Sequence, residues 1–315
     1  MKYTLLDMKK TFTFILMSAM LAGVATTASA LGFSTVMSDD NGKNTFSKCG
    51  WESDPHINKV PLKGKPSRGD HVWIRTDGKA FVIDASPTIA SLSFLYNGTS
   101  VAEAKTIQLV KGSFHMELPP SPKSTGIFTL KKSKMLIRSG VTCSVWEKNR
   151  GIGESKFVLE DSTIEAGGAF AFNMPAWNAK FTKNRSGVVI NMAGASFFKC
   201  KGDILIDSAV AENQDLHFRF ILNEKDGKMP FMSVRGGSLN GTELHLNVKG
   251  KLRAGIYPLI EATGAKDFTG KFKAMTLNGK NISLNSGTSV NGMTLTVKVG
   301  SADKRKANDY VLEVK

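Results

Sequence analysis

Apolar and polar residues alternate along this chain in short bursts, and helical spacing is hard to find after residue 31. The run Gly69-Asp70-His71-Val72-Trp73-Ile74 is followed by Gly78-Lys79-Ala80-Phe81-Val82-Ile83-Asp84, then by Ser86-Pro87-Thr88-Ile89-Ala90-Ser91-Leu92-Ser93-Phe94. A period of two between Gly or Pro marks strands with one buried face. The same reading predicts strands near 71–76, 79–84, 89–95, 105–110, 113–118, 126–130, 134–138 and 141–146. It continues near 156–160, 163–166, 169–173, 187–191, 195–199, 203–207, 215–222, 230–234, 237–240 and 242–248. In the last of these Leu244, Leu246 and Val248 face one way and His245 and Asn247 the other. Ser196-Phe197-Phe198 is too short for its faces to be assigned from sequence.

Strands this short and numerous fit either a sandwich or a coil of stacked rungs. Recurring phrases favour the coil. Phe157-Val158-Leu159-Glu160-Asp161-Ser162-Thr163-Ile164-Glu165-Ala166-Gly167-Gly168 reads as strand, small polar corner, strand and glycine. Ile204-Leu205-Ile206-Asp207-Ser208-Ala209-Val210 and Met232-Ser233-Val234-Arg235-Gly236-Gly237-Ser238-Leu239 repeat that grammar. Ser or Gly suits a corner where the chain bends sharply and its backbone needs local partners. Each rung offers a few inward Val, Ile, Leu and Phe, too few for a core alone, and stacking joins them. The expected fold is therefore all-β, a right-handed single-stranded parallel β-helix with an N-terminal cap and a C-terminal β cap. A β-sandwich is the alternative. The boundaries expected are a signal peptide over 1–30, a flexible leader or cap over 31–48, the coil over 49–265 and the cap over 266–315.

The segment Gly50-Trp51, Pro61, Gly69-Asp70, Val72, Ile74, Gly78, Val82 and Asp84 resembles the start of autotransporter-associated β-strand repeat proteins, of the planctomycete and verrucomicrobial type. Asp84-Ala85-Ser86-Pro87 with Ile89 and Leu92 is also similar to the eight-glycine domain of some secreted eukaryotic proteins. Gly241-Thr242-Glu243-Leu244, Leu252, Ala254-Gly255-Ile256-Tyr257-Pro258-Leu259-Ile260-Glu261-Ala262 and Phe268-Thr269-Gly270-Lys271-Phe272 look like the closing phrase of the same bacterial class. The resemblance implies a large exported β-helix, and both ends are structural motifs that speak to fold more than to activity. The chain departs from an autotransporter in one respect. Residues 266–315 are too few for the long amphipathic strands of a translocation barrel, so the resemblance points to a passenger-like protein.

Export agrees with this. Met8-Lys9-Lys10 opens a basic region, Phe12 to Val24 is apolar, and Ala28-Ser29-Ala30 is a small-residue end, so cleavage is expected after Ala30. The apolar run is shorter than the roughly 20 residues of a spanning helix, so no transmembrane segment is expected. The expected location is secreted, periplasmic or cell surface. The formal net charge is +15, and residues 1–30 hold only Lys2, Lys9, Lys10 and Asp7 of the charged side chains. Such a balance outside the cytoplasm favours anionic polysaccharide or cell-surface matrix, with no specific nucleic acid. Between Glu117 and Glu147 the only charges are Lys123, Lys131, Lys132, Lys134 and Arg138. Between Glu165 and Asp203 they are Lys180, Lys183, Arg185, Lys199 and Lys201. Neighbouring turns of one coil would join these windows into a stripe.

Catalytic signatures are sparse. No His pair has ligand spacing, so no metal and no cofactor is expected, and no nucleophile elbow, phosphate loop or dinucleotide fingerprint is present. The carboxylates available to a β-helix enzyme on acidic polysaccharide, a lyase or glycoside hydrolase, are Asp161, Asp203 and Asp207, although corner Asp residues ordinarily bond their own backbone. Cys49, Cys143 and Cys200 permit at most one intrachain bridge, Cys143 with Cys200 in the expected pairing. Trp177 falls in the excursion between Asn173 and Gly187, where loops tend to carry function. Trp51 instead fits a lid over the first rung. The expectation is an exported, non-enzymatic protein with a surface, adhesion or matrix role. Its ligand-binding residues are expected to be Trp177, as a sugar-stacking ring, with Lys131, Lys132, Lys134, Arg138, Lys183 and Arg185.

Overall fold

The computed structural model describes residues 32–36, 44–53, 61–62, 64–76, 79–95, 98–117, 125–144, 154–173, 186–206, 214–223, 228–264, 268–300 and 309–315. From His71 onward the chain visits three sheets in strict rotation. His71–Arg75 lies in the first sheet, Ala80–Ile83 in the second and Thr88–Ile89 in the third. Ser91–Leu95 then returns to pair in parallel beside His71–Arg75. The rotation repeats through Gly237–Ser238, Thr242–Val248 and Gly255–Ala262. Stacked neighbours are parallel and three strands apart in sequence, whereas a sandwich pairs hairpin neighbours antiparallel. The fold is a parallel β-helix, and no described residue is helical.

Alternation along each strand sorts side chains in and out, and register stacks the inward ones into columns. In the second sheet Phe81, Ser100, Phe128, Phe157, Ile190, Phe218, Leu244 and Met275 are successive partners. Beside it runs Ile83, Ala102, Leu130, Leu159, Met192, Phe220, Leu246 and Leu277. The Phe128 ring sits 4.8 Å from Phe114 and 5.7 Å from Phe157, and both neighbours are fully buried. Tilted aromatic packing of this kind adds about 0.5–1.5 kcal/mol per pair beyond area burial.

Between the first and last expected strands, Gly98–Ala102 is a strand for which the pattern gave no signal. Gly98–Ala102, Gly-Thr-Ser-Val-Ala, belongs to the second sheet with Gly98, Ser100 and Ala102 facing inward. Its small inward residues leave room for the rings of Phe94 and Phe128, 5.8 Å apart, on neighbouring strands. A loop-like composition is therefore a packing solution.

The corner between the second and third sheets is held by serines. The Ser133 amide donates to Ser162 Oγ at 3.0 Å, and the Ser162 amide to Ser196 Oγ at 3.3 Å. Each hydroxyl also reaches a carbonyl, Ser162 that of Glu160 at 2.8 Å and Ser196 that of Leu159 at 3.1 Å. A buried corner is thus satisfied rung to rung. The turn lengthens from 20 residues between His71 and Ser91 to 34 between Ser162 and Ser196, and shortens to 26 between Leu216 and Thr242. The segments 118–124, 145–153, 174–185 and 207–213 all link a first-sheet strand to a second-sheet strand and lie outside the described residues. Over the first three of those rungs the other two corners are two to three residues long, and they flank the third sheet.

Both ends are closed. Gly32–Val36 extends the first sheet beside His71–Arg75 and turns the pairing antiparallel toward Gly50–Ser53 and Pro61–Leu62. Trp51, 4% exposed, packs its ring 5.0 Å from Phe46 and 6.3 Å from Phe33. The described part of 31–48 is therefore cap and not loose leader. Asp84 ties it down by accepting from the amide and hydroxyl of Ser47. Burial pushes the Asp84 carboxyl up, but the Ser47 bonds outweigh it and hold it below its ordinary value. At the other end the coil outlasts the expected boundary at 265. Phe268–Thr269 and Ala274–Leu277 still stack in parallel on Gly237–Ser238 and Thr242–Val248. Antiparallel closure comes from Tyr310–Val314, which pairs with Gly255–Ala262 on one side and Met293–Val299 on the other.

The expected Cys143–Cys200 bridge does not form. Cys143 lies in the first sheet and Cys200 in the third, and both are buried free thiols, as is Cys49. Burial pushes all three thiols up to about 12. They serve as small apolar side chains.

Candidate anion-binding face

The outward face of the third sheet carries two columns set by register. One runs Thr106, Lys134, Thr163, Phe197 and Phe231. The other runs Gln108, Leu136, Glu165, Lys199 and Ser233. Because Phe198 is buried, Phe197 must face outward, and it stacks on Phe231 with centroids 4.3 Å apart at 29°.

Two concavities share this face. A groove of about 480 Å³ is lined by Arg68, Gln108, Arg138, Glu165, Lys199 and Lys201 among others. Arg138 and Lys201 leave the ends of Lys134–Ile137 and Phe197–Cys200, with Gly167 from the intervening rung between them. A Cβ at Gly167 would stand 2.3 Å from the Arg138 carbonyl oxygen, so that corner admits only glycine without movement and the groove floor stays low. Glu165, the one carboxylate among the described residues of the lining, takes an ion pair from Lys134 at 2.7 Å. Among the described residues, four cations therefore face a groove whose single carboxylate is already paired. One rung on, Arg235 is neutralised by a two-pronged contact with Asp203, at 2.9 Å from Nε and 2.6 Å from Nη2. The hydrogen bonds to Asp203 raise the Arg235 pKa above its ordinary value.

The second concavity, about 420 Å³, is apolar in character. Phe197, Phe231, Tyr257, Pro258 and Met229 line it with Lys228 at its side. The Tyr257 hydroxyl donates to the Arg253 carbonyl at 2.9 Å, which fixes the ring. Phe197 and Lys199 are alternate residues of one strand, so aromatic recess and cationic groove adjoin.

Of the residues expected to bind the ligand, Lys134 and Arg138 lie on this face. Lys131 instead sits at the corner, 3.6 Å from Glu103, and Lys132 occupies the turn there with φ of 49°. Trp177, Lys183 and Arg185 lie outside the described residues. Among the alternative catalytic carboxylates, Asp161 accepts the Ala195 amide at 2.9 Å at the corner of the second and third sheets. Asp203 pairs with Arg235 at the corner of the third and first sheets, and Asp207 lies outside the described residues. The two described carboxylates are thus not partners across a groove. Sequence reading missed Arg68, Phe231 and Tyr257, and left Phe197 without a face.

On the second sheet a different cluster forms from His217, Glu243 and His245. Burial, then the charge of His217, lowers the His245 pKa. Among the described residues no helix is long and apolar enough to cross a membrane. Comparison of the chain with protein families, with curated proteins and with solved structures returns no match.

Proposed function

We propose that this is an exported, non-enzymatic, passenger-like β-helix that acts at or outside the cell surface by binding acidic polysaccharide along the third sheet. The observation that carries the reading is the groove in which Arg68, Arg138, Lys199 and Lys201 converge while Glu165 is held by Lys134. Arginine forks suit carboxylate and sulfate groups, and lysine supplies point charge. The adjoining recess lined by Phe197, Phe231, Tyr257 and Pro258 offers apolar surface for the C–H groups of a sugar ring. A row of exposed cations binds weakly one at a time, and a polymer that spans several of them gains by multivalency. The basic balance of the whole chain and the leader expected over 1–30 support a partner outside the cytoplasm.

The test is a glycan array with salt titration, run beside an activity assay on uronic-acid polymers. Uronate or sulfated glycans are retained at low salt and released as the Debye length shrinks from about 10 Å at 0.1 M toward 3 Å at 1 M. The double variant Lys199→Ala/Lys201→Ala loses at least tenfold in affinity with unchanged thermal stability. Binding that is indifferent to that variant, or the appearance of unsaturated products or new reducing ends, overturns the reading.

A further inference from the structure

The outward face of the second sheet holds a polar cluster made by register across three rungs. His217 of Gln214–Leu222 is opposite Glu243 of Thr242–Val248, and His245 of that strand is opposite Thr276 of Ala274–Leu277. His217 Nδ1 lies 2.9 Å from His245 Nε2. Glu243 Oε2 lies 3.4 Å from the first nitrogen and 3.3 Å from the second. Three donor atoms of different residues thus form a small triangle. A zinc ion with bonds near 2.0–2.2 Å in tetrahedral geometry holds its ligand atoms about 3.3–3.5 Å apart. The triangle has that size, with one edge slightly short.

The surroundings orient the same atoms. His245 Nδ1 is 2.8 Å from Thr276 Oγ1. The neutral tautomer with its proton on Nδ1 donates to Thr276 and leaves the Nε2 lone pair directed at the cluster. Lys273 Nζ stands 3.5 Å from Glu243 Oε1, which leaves Oε2 toward the imidazoles. Outer partners of this kind fix tautomer and ring orientation in metal sites. The three side chains are 22%, 18% and 19% exposed, so they are held by the sheet and still reach solvent. Arg219, in register beside His245, adds a positive charge that favours an anion or hydroxide as a further ligand.

We propose that His217, Glu243 and His245 bind one divalent transition-metal ion of the zinc class, with a fourth coordination position open on the solvent side. Two imidazoles and one carboxylate suit zinc, nickel or copper and reject magnesium and calcium, which take all-oxygen sets. Three protein ligands with one open position are the arrangement of reactive zinc sites, not of closed structural ones. This face is distinct from the third-sheet groove, so the inference stands apart from polysaccharide binding. The competing account is a hydrogen-bond chain from His217 through His245 to Thr276 with no affinity for metal.

Untagged, chelator-stripped protein titrated calorimetrically with zinc chloride near pH 7.5 separates the two. One equivalent of zinc binds, and magnesium chloride gives no heat. His217→Ala and His245→Ala each weaken zinc at least tenfold. Thr276→Val, which touches no metal, weakens it about 10–100-fold by releasing the His245 ring, with the circular dichroism melt unchanged. Cobalt added in place of zinc gives the visible absorption of a low-coordinate site, and that absorption is lost in His245→Ala. Absence of a stoichiometric site, or zinc binding undiminished in the double His variant, overturns the proposal.

Discussion

At the scale of single residues, His115 carries the clearest pH signature. It lies in Phe114–Glu117 of the first sheet, 9% exposed, and burial lowers its pKa to about 4. The unfolded chain takes up a proton near pH 6.5, and the folded one does so only near pH 4. Folding stability is therefore full above about pH 6.5 and falls as pH drops toward 4, by an amount on the order of 3 kcal/mol. Urea midpoints measured between pH 7.5 and 4 should fall for the wild type and fall less for His115→Gln. Other residue-scale features were only half legible. That Trp51 belongs to a lid followed from its place before the first rung, and its contact with Phe46 bears this out. The paired-cysteine expectation failed because spacing in sequence does not say which sheet a strand joins.

At the scale of elements, short period-two runs located nearly every described strand from His71 to Val248 within a residue or two. Faces followed wherever a run was long enough, as in Thr242–Val248 with its alternating burial. Gly98–Ala102 escaped because its inward residues are the small partners of neighbouring Phe rings, and a small inward residue looks like a loop in isolation. The corners were readable as Ser or Gly, but the serine ladder needed the stack. Ser162 donates to the Glu160 carbonyl and accepts from the Ser133 amide. Ser162→Ala leaves the buried Ser133 amide without that acceptor, a loss of about 1–3 kcal/mol. Its chemical denaturation midpoint should drop accordingly, whereas Thr163→Ser on the outward side should change it little.

At the scale of the whole molecule the coil behaves as a stack whose ends decide its solubility. Tyr310–Val314 covers the last third-sheet strand, and Tyr310, Val311, Leu312 and Val314 are all buried. Each such side chain stabilises by about 1.5–3 kcal/mol. Ending the chain after Gly300 removes these residues and exposes the edge of Gly255–Ala262 to another copy. The truncated protein should melt many degrees lower and run as oligomers or aggregate in light-scattering chromatography; an unchanged monomer at unchanged melting temperature would contradict the capping role.

The all-β class, the rung grammar and the excess of positive charge were legible along the chain before any contact was known. All three are properties of local pattern and composition, since alternation, turn residues and charge need no knowledge of partners. The recurring phrases favoured the coil over the sandwich, and the parallel pairing that establishes it is non-local and visible only in the fold. Register then decided the candidate sites. It set Lys134 on Glu165, brought Arg138 and Lys201 around one groove, turned Phe197 outward onto Phe231, and gathered His217, Glu243 and His245 from two strands that no spacing rule connects.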